Sequence, residues 1–456
     1  MKHVIMSLSV ICMLLCMGCN DEIADQEKDP QEDGITYRSD TIVVSGNVEG
    51  VWPEHSVVNV IRQITIPPGK SLTIEKGVEI IISAAGQDAN NTKIEFIVHG
   101  NLYSLGTEDA PILFSVSAAE RTRENTFKRL WGGIIGSNTS AEILLEHSII
   151  EYTGAVTTTT SPSVLLELFK AGGGEGMVAF NTNNPAGKYV ITHSTFRNTS
   201  EDAIYVQGGN CLFTHNLFYA VGEAGGEAIN VKAGCKVDVA YNVMYSPNTN
   251  AFKLSNTGFG GNRFQAQIKA YNNTIVNSGW RRDPNKPKGG SVWAEEGCLV
   301  SICNNLIINS MFAVEAPDFG VAGGAGADLN SVFDYNFYAS GTQQSTVAQH
   351  IANGTLTAFD GFKPGVTDVI YSTHDVRGGS TGDNDPKFVN FPFTSNPPGS
   401  YAFDPAWDFH LQTGSPALSG ANTALVPHYA ASGVTVNGKE YKSPVPSSFF
   451  GAFGTK

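Results

Sequence analysis

A short phrase, a polar residue followed by aliphatic or aromatic ones, returns again and again down the middle of the chain: THNLF, AYNVM, YNNTIV, CNNLII and DYNFY. Anchored on Asn216, Asn242, Asn273, Asn305 and Asn336, with Ser148 and Ser194 as earlier equivalents, it steps by 46, 22, 26, 31, 32 and 31 residues. The step of 46 is expected to hold two steps of 23. Periods of this size indicate a solenoid, whose coils bury their apolar faces only by stacking on one another.

The repeats consist of short Val, Ile, Phe, Tyr and Thr runs punctuated by Gly, Asn, Ser and Pro, which is the pattern of strands and turns, not of helices. Four residues after each anchor lies a second column, Asn198, Asn277 and Asn309, with Ser246 and Ser340 in equivalent places. Asparagine tolerates left-handed backbone and bonds its neighbours, so a turn reused in every coil favours it. The fold expected is all-β, a single-stranded right-handed parallel β-helix.

The first residues set the expected compartment. Lys2 and His3 precede an apolar run from Val4 to Met17 that is too short for a permanent membrane span and reads as a secretory signal. Leu14-Leu15-Cys16-Met17-Gly18-Cys19 resembles the lipobox of bacterial lipoproteins, although Cys16 stands where that family usually has Leu. The resemblance implies lipidation at Cys19 and an outer-membrane anchor. Residues 19–40 read as a disordered acidic tether, carrying Asp21, Glu22, Asp25, Glu27, Asp29, Glu32 and Asp33 against Lys28. Acids directly after the lipidated Cys resemble the export signal of surface lipoproteins in Bacteroidota, which implies cell-surface exposure.

The formal net charge of −14 argues against general nucleic-acid binding. Beyond the signal only Cys211, Cys235, Cys298 and Cys303 remain. Cys235 and Cys298 each stand seven residues before an anchor, which places them in one column as packing residues; a Cys211–Cys235 bridge stays open.

Residues 41–340 are expected to form the β-helix, and residues 341–456 irregular coils and a cap over the last rung. Ile64 to Ile82, Ile94 to Phe114 and Leu130 to Gly154 resemble the opening coils of bacterial right-handed β-helix surface proteins, related in fold to pectate lyase-like proteins. DPKFVN from Asp385, DFHLQ from Asp408 and FFGAF from Phe449 resemble the C-terminal end of such proteins. Irregular excursions are expected around Thr157 to Ser163 with the glycines at 172–174, and between Ser278 and Gly290. A β-helix serves lyases, hydrolases and adhesins alike, so the fold does not give function. The Asn-Thr-Asp, Asp-Asp and Gly-His-Gly phrases of polygalacturonase-type hydrolases are absent, as are the Trp-Ile-Asp-His and Arg-x-Pro-x-x-Arg phrases of pectate-lyase relatives.

Two candidate sites remain. Aligning EDAIYV, GEAINV, TNAFKL and GGSVWA puts Asp202, Glu227 and Asn250 on successive rungs, and Tyr205, Asn230, Lys253 and Trp293 in an outward column. Rungs are about 4.8 Å apart, so Asp202 and Glu227 form a candidate hydrolytic carboxyl pair, with turn caps or cation ligands as the alternatives. The second site is a basic interval, Lys253, Arg263, Lys269, Arg281, Arg282, Lys286 and Lys288 against Asp283. With Trp280 and Trp293 it suits an anionic polysaccharide, and Lys253 or Arg263 is the candidate base for lyase chemistry. His147, His193 and His215 each precede an anchor and are read as coil residues, and His410 as part of the cap. No metal or cofactor is expected. The leading expectation is a surface lipoprotein that binds or handles polysaccharide; the alternatives are a β-helix lyase or hydrolase, and an adhesin or scaffold.

Overall fold

The computed structural model describes residues 41–172, 178–223, 225–282, 290–319, 324–342, 373–377 and 382–456, and the backbone alone of Ile35–Arg38, Gln349–Ala352 and Thr355–Ala358. The signal, Cys19 and nearly all of the tether lie outside these residues, as do Asp283, Lys286 and Lys288.

Each coil carries three short strands that run round three faces. In one coil these are Ile204–Val206, Gly209–Thr214 and Leu217–Val221, and the next coil opens with Ile229–Val231. Successive coils pair in parallel and residue for residue, Ile204 beside Ile229, then Phe252, then Val292, and all four side chains are buried in the core. Alternate residues point outward, which is why runs of three to six residues suffice to build a rung. The protein is a right-handed parallel β-helix.

The repeated asparagines lie in the turn between the second and third faces. Each anchor's backbone N–H donates to the side-chain oxygen of the anchor one coil on: Ser194 to Asn216 at 2.9 Å, Asn216 to Asn242 at 2.9 Å, Asn242 to Asn273 at 3.0 Å. Each amide also donates back to a carbonyl of the previous coil, as Asn242 does to Phe213 O at 3.1 Å. The left-handed residue is the one before the anchor, with φ of 46 to 60° at His147, His193, His215, Tyr241, Asn272, Asn304 and Tyr335. Their rings stack along the outside of the corner, with centroids 4.9 Å apart from His147 to His193 and from His193 to His215, and 5.3 Å on to Tyr241. The second column behaves as its composition predicts, with φ of 54, 52, 54 and 49° at Asn198, Ser246, Asn277 and Asn309.

The step of 46 is one coil, not two of 23. Glu142–Glu146 pairs directly with Lys188–Thr192, and Ser148 N donates to Ser194 Oγ at 3.0 Å. The extra residues leave the ladder as an excursion over the first face, which includes the single helical turn Pro162–Leu165. A stack fixes the spacing of strands but not the length of chain between them. Leu168 and Phe169 pack on Ile97, Ile135 and Val178, and the buried Glu95 carboxylate accepts from Ser163 N at 2.7 Å and Ser163 Oγ at 3.0 Å.

The described C-terminal residues run along the flank of the stack. Phe388, Phe409, Leu411 and Phe450 cover outward residues of the third face, among them Val243, Tyr245, Leu306 and Phe337. Further on, Tyr429, Val434 and Val436 cover Tyr103, Leu144, Val190 and Leu212 on the second. Buried Asp238 holds this strap, accepting from Tyr429 N at 3.1 Å and Ser443 Oγ at 2.6 Å. Cys211, Cys235, Cys298 and Cys303 are buried free thiols, and Cys235, Ala266 and Cys298 follow one another in a single column.

Candidate functional site

The outward residues of the first face form a regular array. Tyr205, Asn230, Lys253 and Trp293 are adjacent on four successive rungs, in the register the sequence alignment predicts. Two residues further along the strands lie Gln207, Lys232 and Ser255, the last paired with Glu295. On earlier rungs the same outward column carries Ile97 and Ile135, which the excursion covers. Where it ceases to cover them, a cleft of about 950 Å³ opens. Its floor is Asp202, Tyr205, Gln207, Glu227, Asn230, Lys232 and Lys253, and one wall is Val164, Glu167, Leu168, Phe169 and Lys170 of the excursion.

Asp202 and Glu227 are both 8% exposed. Asp202 Oδ1 accepts from the Glu227 backbone N–H at 2.8 Å, and its Oδ2 from Asn230 Nδ2 at 2.9 Å. Burial and the neighbouring Glu227 charge push the Asp202 carboxyl well above the usual range. Against its own burial, the hydrogen bond from Asp202 and the charges of Lys253 and Lys232 keep Glu227 below its ordinary value. Within the pair Asp202 is thus the carboxyl that takes up a proton more readily and Glu227 the one that gives it up more readily. Asn250 follows on the next rung, its Nδ2 3.5 Å from Glu227 Oε1.

The basic interval is dispersed, because neighbours along a coil belong to different faces. Lys253 lies in the cleft. Arg263 turns to Gln207 O and to Asn183 Oδ1 at 3.3 Å, and Lys269 stands on the second face against Val426 O of the strap. Arg281 is half-buried, its guanidinium donating to Gly222 O at 2.6 Å, Val221 O at 2.7 Å and Ser246 O at 2.9 Å. Phe127 and Tyr401 flank it at 5.4 and 5.7 Å, and burial brings its pKa down to about 10. Arg282 offsets the buried Glu315. Trp280 packs on the core and donates to Asn309 O, and buried Trp293 donates to Glu295 Oε2 at 2.7 Å.

Of the sequence-predicted residues, the cleft thus gathers Asp202, Glu227, Tyr205, Asn230 and Lys253; Arg263, Trp280, Arg281, Arg282 and Trp293 are not among its lining residues. Lys232, Gln207, Thr257 and the excursion wall escape the sequence reading. Lys232 carries a signal, since it follows Asn230 by two and so shares its outward face. The wall carries none, because its docking is a contact between distant parts of the chain. Among the described residues, no three His, Cys, Asp or Glu side chains converge as metal ligands. His410 bonds Asp408 at 2.6 Å beside the Phe453 ring, within the strap.

No known protein-family model and no curated protein matches the chain.

Proposed function

We propose that the cleft binds extracellular polysaccharide, on a protein held at the bacterial cell surface by a lipid on Cys19. One observation carries this reading: the Tyr205 and Phe169 rings, 6.2 Å apart, stand in a cleft whose floor also offers the polar side chains of Gln207 and Lys253. A sugar ring has apolar C–H faces and a rim of hydroxyls, so aromatic faces and polar side chains set side by side match both parts of it. The lipobox and the acids that follow it support the location, and the absence of known catalytic phrases favours binding over cleavage.

A second reading is cleavage, favoured by the readiness of Asp202 to take up a proton beside Glu227, because an acid catalyst needs a carboxyl that stays protonated. The pair is hydrogen-bonded, whereas retaining hydrolases keep their carboxyls about 5–5.5 Å apart with substrate between them. Lys253 remains the candidate base for a lyase.

The test incubates the mature protein with neutral, uronate-containing and sulfated polysaccharides and measures both retention and product. Retention without product is expected, weakened by Tyr205→Ala. Unsaturated ends would establish a lyase, and new reducing ends without unsaturation a hydrolase. If no polymer is retained or cut, the glycan reading falls.

A further inference from the structure

Lys232 is the least expected residue on the cleft floor. It is 7% exposed, yet among the described residues no carboxylate forms an ion pair with its ammonium, whose recorded contact is the Tyr205 ring, 5.7 Å from Nζ to centroid. Its ammonium faces the cleft, and a lysine set so deep without a paired anion gives up part of its hydration. A methionine would fill the same space without that cost.

Lys253 makes the arrangement harder to explain as packing. It stands beside Asn230 on the next rung, diagonal to Lys232, so two cations share one patch of floor. The two repel, and burial together with Lys253 pulls the Lys232 ammonium below the usual lysine range. Nearby carboxyls offset them only in part. The Asp202–Glu227 pair faces them, but its carboxyls are bonded to each other and to the Glu227 N–H and the Asn230 amide, and neither forms an ion pair with Lys232. Glu201 is engaged with Arg129 at 3.1 Å, and the Glu295 charge acts on Lys232 from the next rung without forming an ion pair with it. What sets the floor apart is placement, two ammoniums on neighbouring rungs beside the Tyr205 ring, in a protein whose formal net charge is −14.

We propose that Lys232 and Lys253 form the seat for the anionic oxygens of an acidic sugar, a carboxylate or a sulfate, whose ring lies against Tyr205. This rests on the reading of the cleft as a glycan site and adds the charge of the sugar it selects. An anion placed between the two ammoniums relieves their repulsion and accepts a charge-assisted hydrogen bond from each. Gln207, on the same outward array, is placed to take a hydroxyl.

The experiment measures binding of the full mature protein to polygalacturonate and its methyl ester, which share a backbone and differ in charge, and to dextran sulfate and dextran. Polygalacturonate or dextran sulfate is expected to bind about tenfold or more tighter than its uncharged counterpart, and more weakly as salt rises. The acid polymer that binds identifies carboxylate or sulfate as the preferred group. Lys232→Met is expected to lower that affinity about tenfold or more while leaving the melting temperature unchanged or higher. Lys253→Gln, at a less buried position, reports the same loss if Lys232→Met fails to fold. Equal affinity for charged and uncharged polymers, or undiminished affinity in both lysine variants, overturns the seat and leaves the cleft reading standing. Binding of none of the four polymers, with Tyr205→Ala equally inert, removes the cleft reading and the seat with it.

Discussion

The side-chain oxygen of Asn305 accepts both the backbone N–H of Asn273, at 3.1 Å, and its side-chain amide, at 2.9 Å. Asn273 does the same for Asn242, at 3.0 and 2.9 Å, so every central rung is tied to the next inside the core. Asn273→Ala leaves the buried N–H of Asn242 without its acceptor and takes the amide donor from Val239 O, while the Asn242 amide keeps Phe213 O. At roughly 1–3 kcal/mol for each buried group left unpaired, the expected loss is about 3–5 kcal/mol in urea unfolding. Asn273→Ser, which copies Ser194, is expected to cost less. A loss under about 0.5 kcal/mol for the alanine variant would show that the ladder contributes little.

Glu95 makes attachment of the excursion sensitive to pH. Burial outweighs the bonds from Ser163 and raises this carboxyl from 4.5 to about 7. A carboxyl whose folded value is raised stabilises fully below its unfolded value, and that contribution is lost as pH rises from 4.5 through about 7. The difference is at most ~3 kcal/mol. Trypsin cleavage after Lys170 is expected to accelerate between pH 6 and 8 in the native chain and to stay flat in Glu95→Gln. Equal pH profiles in the two proteins would exclude Glu95 as the cause.

The stacked histidines predict acid sensitivity. Burial, then the neighbouring His193, brings His215 down from 6.5 to about 4, and His193 is lowered in the same sense by burial and His147. A base with a depressed folded value stabilises above 6.5, and that stability is lost as pH falls toward 4. Tyr241 fills the same column one coil on, so His215→Tyr keeps the ring stack and removes the titration. Its melting temperature is expected to fall less than the parent's between pH 6.5 and 4.5. Parallel curves would place the acid response elsewhere.

Arg281 tests whether a basic residue from the linear charge run serves binding or construction. Its three carbonyl partners and two flanking rings predict that Arg281→Met costs about 2–4 kcal/mol while glycan retention by the folded fraction is unchanged. Lost retention at full stability would return Arg281 to the binding surface.

Legibility in the sequence followed the ladder. Where a strand's neighbours are set by the repeat, spacing alone located partners, and Tyr205, Asn230, Lys253 and Trp293 were aligned correctly because period-two alternation and coil register fix both face and rung. Where the chain departs from the ladder, spacing carried no such information. The 46-residue step divides evenly by two, yet pairing of Glu142–Glu146 with Lys188–Thr192 is set by the apolar residues each strand buries, not by the residues between. Charge proximity failed for a related reason: Lys253 and Lys269 are 16 residues apart and face different sides of the solenoid. The wall of the cleft and the seat at Lys232 depend on Phe169 and its neighbours docking onto the first face, a contact that no local period encodes.

The backbone N–H of Asn437 donates to Glu142 Oε2 at 2.9 Å, across 295 positions of the chain. In an open stack of rungs, unfolding can begin at either end and move inward, each rung answering only to its neighbours. Here residues far along the chain buckle onto rungs near its start, so the middle of the stack is held until the buckle is released. A one-dimensional array is thereby made to behave as a closed body, with a sharper, more nearly all-or-none transition than its repeats alone would give.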